Sequence, residues 1–179
     1  MGVIRGSSFY AVVDGPSWTQ AEANAIAIGG NLVTINSEEE NYFLFNSIGG
    51  GFWIGLTDAQ EEGKWRWSSG SDVSYTNWAA AQPNNGVNPD DGKTQDFAWI
   101  HPHFSGKWDD HWDHHDWYNH LSGTALGIAE VPLSYFSVSD LTIEEGEKGK
   151  VTISRTGGTQ SSQTLTLTTS DGTAVVGDD

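Results

Sequence analysis

The hydrophobic pattern changes period several times along the chain, and each change predicts an element. Ser8–Val13 alternates apolar and polar positions like a strand. Trp18, Ala21, Ala25 and Ile28 then recur at helical spacing and share one face. Ser17 with Gln20 fits a capping box at the start of that helix, and Gly29-Gly30 ends it. Leu32–Ile35 predicts a short strand. Ser37 with Glu40 is a second capping box, and the helix it opens continues through Asn41–Ile48 to stop at Gly49-Gly50-Gly51. Short strands are expected over 52–57, 65–68, 97–100, 107–109 and 126–131. Between Trp78 and Asp96 lies a long polar loop carrying Pro83 and Pro89. Loops of that length in compact domains are usually functional or disordered. Residues 1–132 therefore read as one α+β domain: two helices, then antiparallel sheet, with an extended loop hung on it.

The texture changes after Pro132. Residues 133–179 are rich in Thr and Ser, with period-two alternation at 138–143, 150–154 and 164–169. Glu144-Glu145-Gly146 and Gly157-Gly158 mark the turns. About three strands are too few for a sandwich, which needs about seven. The expectation is a partial all-β domain whose remainder is absent. Met1-Gly2-Val3-Ile4 carries no signal-peptide pattern, so the chain is expected to be a piece of something longer.

Charge narrows the partners. The formal net charge is -16 with only 8 Lys and Arg, which repels nucleic acid and anionic membranes and attracts cations. No stretch is long and apolar enough for membrane insertion. With 0 Cys, disulfides, thiolate metal sites and thiol catalysis are excluded. Nine Trp imply an aromatic-rich core or ligand-stacking platforms.

Two polar clusters carry the candidate chemistry: Gln82-Pro83-Asn84 and Trp108-Asp109-Asp110. Each sets side-chain oxygens beside a rigid anchor, a proline in one and a tryptophan in the other. Brought together they supply oxygen donors of the kind Ca²⁺ takes, about six to eight per ion. Positions left to a ligand's hydroxyls would turn such a metal into a sugar-binding device.

The ordered motifs over 8–131 resemble a C-type lectin-like domain. They are Ser17-Trp18, Gly30-Asn31-Leu32-Val33-Thr34-Ile35, Glu39-Glu40-Asn41, Trp53-Ile54-Gly55-Leu56 and Trp65-Arg66-Trp67 with Gly70. Tyr75-Thr76-Asn77-Trp78, Gln82-Pro83-Asn84 and Gly106-Lys107-Trp108-Asp109-Asp110 complete them. The resemblance implies a double-looped α+β fold whose long loop carries the principal Ca²⁺ site. It carries the ligand positions over to Gln82, Asn84, Gln95, Asp109 and Asp110. Gln-Pro-Asn matches neither the mannose-type nor the galactose-type motif of that family, and Gln95 stands where the family usually has Glu. The amide NH₂ groups of Gln82 and Asn84 can only donate to sugar hydroxyls, while Asp109 accepts. With two carboxylates, metal affinity is expected at the weak extracellular end, roughly 10⁻⁴–10⁻³ M. Asp90, Asp91 or Asp96 are candidates to strengthen it or to hold a second metal. The missing cysteines suggest a microbial version of the domain.

The tail resembles the start of a Calx-beta domain, on Ile143-Glu144-Glu145-Gly146, Val151-Thr152-Ile153-Ser154-Arg155 and Asp171-Gly172-Thr173-Ala174. That resemblance makes Glu144, Glu145, Asp178 and Asp179 candidate Ca²⁺ ligands. His101, His103, His111, His114, His115 and His120 cluster around Trp108-Asp109-Asp110. They read as a polar loop or as a Zn²⁺ site, with His101 and His103 on one strand face, and the loop is favoured. Trp112, Trp117 or Tyr118 would stack on a sugar beside the metal, or simply pack the loop. Trp53, Trp65, Trp67, Trp78 and Trp99 read as core. No hydrolase, zincin or phosphate-loop motif appears, so no enzyme activity is expected. Two functions follow. The first is a calcium-dependent carbohydrate-binding module of an extracellular or cell-surface protein, taking galactose- or mannose-type glycans. The second is a protein-interaction or adhesion domain on the same scaffold, with the tail or the long loop meeting the partner.

Overall fold

The computed structural model describes residues 2–113, 126–142, 148–158, 164 and 166. Its elements are β1 Gly2–Arg5, β2 Ser8–Asp14, α1 Trp18–Ala27, β3 Asn31–Leu32, α2 Glu38–Ser47, β4 Phe52–Thr57 and β5 Arg66–Trp67. They continue with β6 Phe97–Ile100, β7 Trp108–His111, β8 Leu126–Pro132, β9 Ser134–Val138 and β10 Ile153–Gly157. This is the α+β arrangement expected from the motifs, with two helices and the remaining elements strands.

Both helices start where their caps predict. Ser17 Oγ accepts from Gln20 N at 3.1 Å, and Ser37 Oγ accepts from Glu40 N at 3.2 Å. Glu38, Glu39 and Glu40 fill the first turn of α2, where carboxylates suit the helix dipole. Ala21 and Ala25 are the fully buried positions of α1, and that face packs on β8. Gly127 allows the approach: a Cβ there would come within 2.9 Å of the Ala21 Cβ.

One sheet runs β1-β2-β8-β4-β6-β7, with β3 paired to β8 and β5 to β4. Ser8 pairs with Pro132 and Asp14 with Leu126, so β2 and β8 close the domain on itself. The segment between β5 and β6 is the second loop. The pairs are antiparallel except one. Phe52 faces Leu126 and Trp53 faces Gly127 in parallel, which corrects the expectation of a wholly antiparallel sheet. A parallel pair needs a long crossover, and the stretch holding β5, β6 and β7 supplies it.

β1 was not expected. It forms a hairpin with β2 around Gly6, whose φ of 58° suits glycine. The strand expected over 32–35 shortens to Asn31–Leu32, although Val33 N still donates to Ile128 O at 2.8 Å.

The core centres on tryptophan. Trp108 is fully buried, and its Nε1 donates to Asn41 Oδ1 of α2 at 2.7 Å. Trp67, Tyr75 and Trp78 surround it edge-on, with centroids 5.6–5.9 Å away. Trp53, Trp67 and Trp99 are buried as expected, whereas Trp65 and Trp78 are only partly so and pack against each other at 4.6 Å.

After Pro132, β9 and β10 form a separate two-stranded antiparallel sheet. Its strands sit at 134–138 and 153–157 rather than at the expected 138–143 and 150–154. A side-chain contact accompanies this pairing, Ser134 Oγ accepting from Arg155 Nε at 3.2 Å. Tyr135, Phe136, Val138 and Ile153 all stay exposed, so burial does not specify register here. Of the strand expected at 164–169 only Thr164 and Thr166 are described, neither of them in a strand, and the acidic candidates Glu144, Glu145, Asp178 and Asp179 lie outside the described residues. Among the described residues no helix is long and apolar enough to cross a membrane.

Candidate functional site

Strand β7 and the long loop are locked together before any site chemistry begins. Trp108 bridges Trp78, Ala79 N donates to Trp108 O at 2.8 Å, and Trp108 N donates to Asn77 O at 2.8 Å. Asn77 Nδ2 and Asn41 Nδ2 both donate to Gly106 O. The returning loop is thereby delivered to the end of β7, with a cis peptide between Gln82 and Pro83.

Asp110 organises what arrives. It is fully buried, and its carboxylate accepts from Asn84 N at 3.0 Å and from Asn85 N at 2.7 Å. Gly86 N then donates to Gln95 Oε1 at 2.8 Å and to Asn84 Oδ1 at 3.1 Å. A Cβ on Gly86 would stand 2.5 Å from Gln95 Oε1 and would push that amide from its place. Trp112 Nε1 donates to Gly86 O at 3.1 Å and fixes the indole against the same turn. Asn84, Gln95, Asp110 and Trp112 thus converge on one turn. Gln82 precedes that turn, and Asp109 neighbours Asp110 on β7.

Two observations fit this donor set to a cation. Gln82 Oε1 and Asn85 Oδ1 are buried oxygens with no hydrogen-bond partner, and such acceptors are costly to leave unmade. Burial raises the Asp109 pKa to about 6, and repulsion from Asp110 adds to the rise. A cation at the turn would relieve the first, and one within reach of Asp109 the second. Asn85 was missed in the sequence. Its signal was only its place after Asn84, in a loop dense with Asn.

The other acidic candidates divide. Asp90 and Asp91 stay in their own turn over 88–93. There Asp90 N donates to Asn88 Oδ1, and Asp91 pairs with Lys93 Nζ at 3.2 Å. Neither joins the turn at Gly86. Asp96 lies beside Asp58, whose N donates to Asp96 O at 3.1 Å. Asp58 was also missed, although Glu61 and Glu62 follow it closely in sequence. It is buried, its Oδ2 accepts from Gly63 N at 2.9 Å, and its Oδ1 has no partner. Burial first, then Glu62 and Asp96, raise its pKa to about 6.

The histidines do not form the pattern expected of a strand pair. His101-Pro102-His103 lies beyond the end of β6, in a turn where His103 N donates to His101 Nδ1 at 3.1 Å. The proline takes the pair out of the ladder. His101 stacks on Phe104 at 3.7 Å, and His111 packs edge-on between Trp53 and Trp99. Among the described residues no three His, Asp or Glu side chains group closely enough to hold a metal. Any site here therefore depends on amide oxygens. Trp117, Tyr118, His114, His115 and His120 lie outside the described residues.

The family model for the lectin C-type domain matches residues 15–118. The chain belongs to the C-type lectin domain family. Perlucin-like protein of Mytilus galloprovincialis is 41% identical over 95 residues, covering 49% of this chain and 61% of that relative. The chain thus spans less than two thirds of that protein. The mouse scavenger receptor C-type lectin carbohydrate-recognition domain superposes with a TM-score of 0.62 at 27% identity, covering 74% of this chain and 95% of the other. A calcium-independent type II antifreeze protein shares the fold, with a TM-score of 0.58 at 23% identity, covering 73% and 91%. The C-type lectin scaffold therefore fits this chain closely over its first domain.

Proposed function

We propose that this C-type lectin domain binds carbohydrate through a calcium ion held by Gln82, Asn84, Gln95, Asp109 and Asp110. The observation that carries the reading is the buried, unpartnered Gln82 Oε1 beside the turn that Asp110 holds. Asn85 Oδ1 is a further donor of the same kind. When bound, the ion supplies an electrophilic position for two vicinal sugar hydroxyls. The chain does the rest. The Gln82 and Asn84 amides donate to those hydroxyls, and Asp109 accepts from them. Trp112, fixed by Gly86 O, offers an apolar edge beside them. Asp96 with Asp58 is the better placed pair for a second cation, in preference to Asp90 and Asp91.

The reading extends to context. The module would work outside the cell or at its surface, in a larger microbial protein, with galactose- or mannose-type glycans as ligands and no catalysis. Residues 133–179 would begin a Calx-beta domain. A second reading is a protein-interaction domain without sugar. It is favoured by the backbone N–H groups of Asn84 and Asn85 on Asp110, which hold the loop through the protein's own hydrogen bonds. Glycan-array binding with calcium and with chelator separates them. Chelator-sensitive binding to galactose- or mannose-terminated glycans supports the first reading. Absence of any such signal rejects it.

A further inference from the structure

A groove of about 840 Å³ lies away from the calcium loop, between the start of α1, the end of β4, and β5 with the turn after it. None of Gln82, Asn84, Gln95, Asp109 or Asp110 lines it. Its volume is at the upper end of the roughly 300–1,000 Å³ typical of ligand sites. It is larger than a single sugar ring requires.

The walls are aromatic and pre-positioned. Trp18 and Phe97 pack at 4.9 Å with planes 33° apart, and Trp18 Nε1 is tied to Ile54 O at 2.7 Å. Trp65 is braced against Trp78. Between these rings stand small neutral polar groups, Thr57, Ser71 and Gln60 among them. Gln60 Oε1 accepts from Arg66 Nη1 at 3.4 Å, which leaves its NH₂ group pointing no bond to the described residues. Among the described residues that line it, the groove carries one cation, Arg66, which faces Glu61 at 3.7 Å, and one anion, Asp72. The described lining is thus mixed in sign within a chain of net charge -16.

Fixed ring faces suit the apolar C–H faces of sugars, and neutral hydroxyl and amide groups suit their hydroxyls. Among the described lining residues no cluster of like charge faces a charged ligand. A peptide adding as a strand finds no usable edge. β5 is only Arg66–Trp67, and its Trp67 carbonyl already accepts from Gly70 N at 3.0 Å. We propose that this groove is a second, metal-independent binding site for a linear neutral oligosaccharide.

The test is titration of the protein, in excess chelator, with cellotetraose, maltotetraose, xylotetraose and chitotetraose, read by amide NMR shifts. At least one sugar should move resonances over 57–73 and at Phe97 while leaving 82–86 still. Gln60→Ala should weaken binding roughly tenfold, as loss of one hydrogen bond does. Ser71→Trp should abolish binding by filling the groove. If Ser71→Trp fails to fold, the exposed Gln60→Ala carries the comparison alone. The proposal is overturned if all four sugars leave the spectrum unchanged. It is equally overturned if the shifts map to 82–86, if Gln60→Ala binds as tightly as the parent, or if a peptide binds the groove where the sugars do not.

Discussion

Asp110 accepts from two successive backbone N–H groups of a loop that has no regular structure to satisfy them. Asp110→Ala removes a buried charged acceptor and leaves those donors unpaired, which should cost about 3 kcal/mol. Urea unfolding measures it, and a change under 0.5 kcal/mol would show that the loop is held some other way. Gln95 is the position where one charge is missing. Gln95→Glu should tighten calcium binding about tenfold by calorimetry, because affinity follows ligand charge. No gain would place Gln95 outside the metal's coordination. Gln82, Asn84, Asp109 and Asp110 were legible because oxygen-bearing side chains cluster beside Pro83 and Trp108, and Gln95 only through the family resemblance. Asn85 and Asp58 were not, since nothing in an Asn or Asp beside a turn announces burial without a partner. Asp90 and Asp91 were candidates on composition; the structure keeps both in a turn of their own, where Asp91 pairs with Lys93.

At the scale of elements, the caps and the alternation predicted α1, α2, β4 and β6 to within a residue or so. Those signals are local, and burial on one face enforces them. β1, the parallel β4–β8 pair and the shortened β3 depend on which distant strand lies alongside, and periodicity says nothing of that. In the tail, apolar residues exposed on the β9–β10 sheet leave the register unspecified by burial, and a Ser134–Arg155 contact accompanies the pairing adopted. The join between α2 and β7 is the Asn41–Trp108 hydrogen bond. Asn41→Leu should destabilise the domain by roughly 2 kcal/mol, since it strands the buried Trp108 indole N–H and leaves the Gly106 carbonyl with Asn77 alone. Thermal unfolding checks this, and an unchanged midpoint would mean the aromatic cluster alone holds the helix.

For the molecule as a whole, acidity sets the response to pH. Asp58 and Asp109 titrate near about 6 in the folded chain, and burial also raises Glu130. Raised carboxyl pKa values favour the fold when protonated. Their contribution is complete below the ordinary value near 4 and is lost as pH rises through about 6. The metal-free protein should therefore melt at a higher temperature at pH 5 than at pH 7.5, and calcium should narrow the gap by favouring ionised Asp109. A midpoint that rises with pH in chelator would contradict this electrostatic account. The central claim is that sugar and metal share one site. Calorimetry of calcium binding at pH 7.5, with and without methyl β-galactoside or methyl α-mannoside, tests it most directly. The account predicts that one of the two sugars tightens calcium at least about fivefold, and that calcium tightens that sugar by the same factor. Calcium affinity that is undetectable, or identical with and without both sugars, would contradict it.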